Sequence, residues 1–89
     1  MKRRDKLEIV NDILLAIQNK GGKIKPTHLL YKSNLSHKKM MEYLSELMEK
    51  NMVAEEEEKG KKMFIINQEG FNFIKEYKKI KEFSDSFGL

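Results

Sequence analysis

The chain has 89 residues, a formal net charge of +4 and no cysteine. That length suits one domain with a small core, over residues 1–89, and the missing cysteine excludes disulfides and thiolate metal sites. No apolar run is long enough to span a membrane, and the basic start MKRRDKLEIV lacks the apolar segment of a secretory signal, so a cytoplasmic protein without a membrane partner is expected.

Asp5 caps a first helix that runs to about Lys20, and Glu8 three residues later completes a capping-box pattern. Ile9, Val10, Ile13, Leu14 and Ile17 fall at three- and four-residue spacings and form one apolar face. Gly21 and Gly22 end the helix by supplying the positive φ of a C-terminal cap. Thr27, preceded by Pro26, is the expected N-cap of a short second helix whose Leu29 and Leu30 face inward. Ser36 caps a third helix over His37–Lys50, with Leu35 stapled to Met40. Met40, Met41, Leu44, Leu47 and Met48 give it a core face, and Asn51 closes it in the left-handed conformation.

The period then changes. Met52–Ala54 lead into EEEEKGKK, and Met63–Ile66 are β-formers, so the two runs read as a hairpin turning at Lys59-Gly60. That centre sets Glu58 opposite Lys61 and Glu57 opposite Lys62. Asn67 caps a last helix, expected over residues 67–84, with Gly70 as a weak helix former near its start. The methionines follow core periodicity and suggest no metal or haem site. The order is helix, short helix, tight turn, helix, hairpin, helix. It predicts an α+β, mostly α, winged helix-turn-helix with a three-helix core, a two-stranded wing and a C-terminal helix.

The blocks KLEIVNDILLAI, THLLYKSNLS, YLSELMEKNMV and INQEGFNFIKEYKKI resemble the small archaeal winged-helix proteins, with Thr27–Ser36 the most specific part. The resemblance implies a basic, dimeric DNA-binding protein, either chromatin-associated or a transcriptional regulator. Asn51 stands where that family usually has Gly, a change the same cap geometry tolerates. The chromatin-type relatives pair through a long C-terminal coiled coil. The last helix here is short, which implies a short helix pair instead.

The charge distribution points the same way. Lys20, Lys23, Lys25, Lys32, Lys38 and Lys39 lie in a stretch with no Asp or Glu, whereas Asn51 onward holds seven Lys against eight acids. Double-stranded DNA is therefore the expected partner, in a nucleoid-associated protein. Ser36, His37, Lys38 and Lys39 open the recognition helix, whose N-terminal residues face bases. No Arg and no Gln/Asn pair on that helix offers a bidentate base contact, so phosphate contact is expected to dominate. Lys25, Thr27 and Lys32 flank the short helix as phosphate clamps, and Lys59, Lys61 and Lys62 sit at the wing tip. Lys2, Arg3 and Arg4 form a basic arm. Tyr31 and Tyr43 read as core aromatics with exposed hydroxyls, and Glu42, Glu46 and Glu49 as residues turned from the duplex or paired within the helix, Glu46 with Lys50.

On the last helix, Phe71 and Ile74 are expected to face the domain. Phe73, Tyr77, Ile80, Ser84 and Phe87 step in a heptad-like seam that predicts a homodimer. No phosphate loop, nucleophile constellation or ligand set emerges, so neither enzyme activity, nor a cofactor, nor a metal, nor a small-molecule ligand is expected. The rival reading is a winged-helix protein-interaction module without DNA contact of its own.

Overall fold

The computed structural model describes residues 3–89. In chain order it holds α1 (Lys6–Asn19), β1 (Lys23–Ile24), α2 (Pro26–Ser33), α3 (His37–Glu49), β2 (Val53–Glu58), β3 (Lys61–Ile66) and α4 (Gln68–Ser86). The expected order is present, with one addition. β1 pairs antiparallel with β3, Lys23 opposite Ile65 and Ile24 opposite Phe64, so the sheet has three strands in the order β1-β3-β2 rather than two.

Two helices end by the same device. The Gly22 N–H donates to the Ile17 carbonyl at 2.9 Å and the Gly21 N–H to Gln18 at 3.0 Å. At the end of α3, Met52 donates to Leu47 at 2.9 Å and Asn51 to Met48 at 3.1 Å. Both are Schellman closures, with Gly21 at φ +84° and Asn51 at φ +60°. At the other end of α1, the Asp5 carboxylate accepts from the Glu8 N–H at 2.8 Å.

α2 begins two residues earlier than its sequence suggests. Pro26 occupies the first helical position and Lys25 the N-cap, so the exposed Thr27 lies inside the first turn and makes no cap bond. A proline ring fixes φ at a helical value and brings no N–H to satisfy, which makes that position its best site.

The core is formed by Val10, Ile13, Leu14 and Ile17 of α1, Ile24, Leu29 of α2, Met40, Leu44 and Leu47 of α3, and Val53, Phe64 and Ile66 of the sheet. Met41, Met48, Met52 and Tyr43 pack at its edge. Met63 is half-buried outside that cluster. Tyr31 is 83% exposed, contrary to its core reading, because Leu29 and Ser33 fill the inward face of α2.

α4 extends to Ser86, two residues past its expected end. Asn67 stands at its N-cap without a side-chain bond. Its root is seated by the Asn67 N–H donating to the Met52 carbonyl at 2.9 Å and by Gly70, which is buried against Ile66. Phe73 and Ile74 pack on the core, whereas Phe71 is exposed, the reverse of the expected assignment for the two phenylalanines.

Candidate nucleic-acid interface

The helix-turn-helix is rigidly defined. Asn34 ends α2 in the left-handed region at φ +55°. Ser33, wholly buried, donates its hydroxyl to the Leu30 carbonyl at 3.4 Å. Leu35 packs on the core, and the Ser36 hydroxyl accepts from the Lys39 N–H at 3.2 Å. Arg4 spans the turn from outside: its guanidinium donates to Asp12 at 2.8 Å and to the Asn34 carbonyl at 3.3 Å. Arg4 is thus committed to the fold. Arg3 is exposed, and the remaining member of the expected arm, Lys2, lies outside the described residues.

Ser36, His37, Lys38 and Lys39 are all exposed at the start of α3. Lys39 comes within 3.6 Å of Glu42, a loose surface pair. Helical spacing sets His37, Lys38, Met41, Glu42 and Ser45 around one shallow, open surface. Glu42 thus shares this surface with Lys38, and its pair with Lys39 is within the helix, one of the two expected placements. Glu46 finds an unexpected partner, Lys6 of α1 at 2.8 Å. The hydrogen bond from Lys6 holds the Glu46 carboxyl below its usual range, and the same bond raises the Lys6 ammonium.

Lys25, Thr27 and Lys32 are exposed on and beside α2. Lys32 lines a shallow hollow with His28 and with Lys20, the first lysine of the acid-free stretch.

In the wing, Lys59 at φ +52° and Gly60 at φ +77° make a two-residue primed turn. The register is as expected, Glu58 opposite Lys61 and Glu57 opposite Lys62. The ion pairs that form are different ones. Glu58 accepts from Lys23 of β1 at 2.6 Å, and Lys62 lies 3.6 Å from Glu55, a diagonal neighbour. The bond to Glu58 raises the Lys23 ammonium above its ordinary value.

On α4, the Phe73 and Tyr77 rings stack at 6.0 Å. Partial burial, reinforced by Glu8, Asp5 and Asp12, pushes the Tyr77 hydroxyl up. Phe73 is thus taken up by its own domain, and the open apolar stripe begins at Ile80 (61% exposed) and continues through Phe83 and Phe87. Phe83, absent from the expected seam, contacts Phe87 with ring centroids 5.0 Å apart.

Among the described residues, no cluster of His, Cys, Asp and Glu could hold a metal ion, and no helix is long and apolar enough to cross a membrane. A family model described as winged helix-turn-helix matches residues 3–85. The chain is similar in structure to Sso10a-2, a DNA-binding protein from Sulfolobus solfataricus, with a TM-score of 0.75 and 26% identity over 93% of this chain and 87% of that one. It is also similar to F93 from STIV, a winged-helix DNA-binding protein (TM-score 0.71, 14% identity, 90% and 92% coverage), and to SSV1 F-93 (0.64, 22%, 88% and 91%), likenesses of fold. No curated protein matches the chain in sequence.

Proposed function

The chain belongs to the winged helix-turn-helix family, and from that premise we propose that it binds double-stranded DNA as a transcriptional regulator or chromatin-associated protein of the nucleoid. The first turn of α3 enters the major groove, with His37, Lys38 and Lys39 at bases and phosphates. Lys25, Thr27 and Lys32 hold the backbone beside it. Lys59, Lys61 and Lys62 of the wing make a weaker, flanking contact. The observation that carries this reading is the basic surface of α2, the turn and α3, free of acids from Lys20 to Lys39 and exposed at every one of its candidate contacts. The structural likeness to the DNA-binding Sulfolobus protein supports it. The exposed Ile80, Phe83 and Phe87 support pairing of two copies through α4.

Titration of random-sequence duplex at several salt concentrations tests the proposal. Affinity is expected to fall steeply with salt, with a log–log slope of about −0.9 per phosphate neutralised. The double change Lys38→Ala, Lys39→Ala is expected to weaken binding to DNA of any sequence and to flatten that slope by about 1 to 2. Unchanged affinity and slope would overturn the assignment of α3. A wild-type protein that ignores DNA altogether would leave the interaction-module reading in its place.

A further inference from the structure

The face that α3 offers is not uniformly basic. Glu42 stands one helical turn beyond Lys38, on the exposed surface that also carries His37, Met41 and Ser45. Its side chain is 51% exposed, and its cationic neighbour Lys39 is 3.6 Å away, too loosely paired to hold it from another partner. In a helix laid into the major groove, a carboxylate at this position lowers affinity for every phosphate-lined sequence. Only a hydrogen-bond donor on a base edge offsets that cost. The major groove has two kinds, the exocyclic amines of cytosine and adenine; guanine and the thymine carbonyl present acceptors. Adenine's amine adjoins the N7 acceptor, which repels a carboxylate. Adenine's amine also has thymine O4 on its other side, whereas cytosine N4 has an acceptor on one side only, the O6 of its paired guanine. Lys38, four residues earlier on the same face, carries the complementary ammonium for guanine O6 and N7.

Resting on the DNA-binding reading above, we infer that Glu42 is a specificity-determining residue. It accepts a hydrogen bond from cytosine N4, while Lys38 engages a neighbouring guanine. The protein then combines strong phosphate binding with one read C·G position, a finer selectivity than a purely lysine-lined helix gives.

Selection from a randomised duplex pool with the wild type, Glu42→Gln and Glu42→Ala tests this directly. The wild type is expected to enrich a site with a fixed cytosine. Both variants are expected to lose that preference by on the order of tenfold while binding random duplex more tightly, with far-UV circular dichroism unchanged because Glu42 is exposed. Identical selected sites for the wild type and both variants would overturn the inference. So would a wild type that binds random duplex with a steep salt dependence yet enriches no base. Absence of any duplex binding by the wild type is a distinct result that removes the DNA-binding reading itself, and this inference with it.

Discussion

Gly70→Ala is expected to destabilise the protein, against helix propensity. Ala is better than Gly in a helix interior by about 0.8–1.0 kcal/mol, and Gly70 lies within α4 without a positive φ. Backbone preference alone therefore predicts a gain. Packing reverses it. A Cβ at Gly70 would lie 2.6 Å from Cγ1 of Ile66 and 2.6 Å from the Met52 carbonyl oxygen, where normal carbon contacts are about 3.5–4.0 Å. Ile66 is a core residue, and the Met52 carbonyl is the acceptor that seats Asn67 at the root of α4. Relief requires α4 to move away by nearly an ångström. Overpacking of this kind costs about 1–3 kcal/mol, and loosening the Asn67 bond adds about 1 kcal/mol. The net loss is about 1–3 kcal/mol after the propensity gain. For a chain of this size that lowers Tm by roughly 5–20 °C. Thermal melting by circular dichroism at one fixed protein concentration measures it, because association makes Tm depend on concentration. Gly21→Ala serves as the comparison: no atom lies within 4 Å there, so only the strain at φ +84° acts. A Gly70→Ala protein that melts at or above the wild type would refute the packing argument.

Two other outcomes follow from the geometry. The double change Ile80→Glu, Phe83→Glu, both exposed, is expected to convert a sedimenting dimer to a folded monomer; a wild type that is monomeric at high micromolar concentration would defeat the α4 pairing. Because the bond from Lys6 depresses the Glu46 carboxyl, the pair contributes fully above the unfolded carboxylate value and less as pH falls through the lower folded value. Glu46→Gln should therefore melt below the wild type near neutrality, with the gap closing between about pH 5 and pH 3, and a gap that ignores pH would count against the pair. On the alkaline side, Lys6 is raised by the same bond, so its contribution is retained until pH climbs through that raised value.

Elements with local causes were legible. The caps at Asp5 and Ser36, the Schellman closures at Gly21 and Asn51, and the Lys59-Gly60 turn each depend on residues within a few positions of one another. What the sequence hid depends on distant partners. β1 is two residues long, too short to show a period, and exists because β3 lies beside it. Glu46 has a local cation four residues on, yet bonds Lys6 forty positions away, which no helical spacing reveals. Two valid signals competed at α2, and the fixed φ of Pro26 prevailed over the capping hydroxyl of Thr27. For the candidate interface, the exposed lysines were readable from the acid-free stretch. The place of Glu42 was legible only in part, because its sign suggested a residue turned away or paired within the helix, and the second holds through Lys39. Lys38 and Ser45, at three- and four-residue spacing on its face, were the available signal.

The wing shows how the contest between its two charge runs is resolved. Its eight residues hold four glutamates against three lysines, so the hairpin as a whole carries no surplus of positive charge. Glu58 is taken by Lys23, a residue of the sheet rather than of the tip, and Glu55 by Lys62. The first pair ties the hairpin's far end to β1 and spends a lysine that would otherwise enlarge the basic surface. The second lowers the free charge of one tip lysine. Lys59 and Lys61 remain to meet a phosphate, with Glu56 and Glu57 exposed behind them. A wing so built is held in orientation by its own ion pairs and, on the proposed reading, adds little non-specific grip. On the proposed reading, binding strength falls to the lysines of α2 and α3, where the acids are absent up to Lys39, and discrimination to Glu42 on the face of α3.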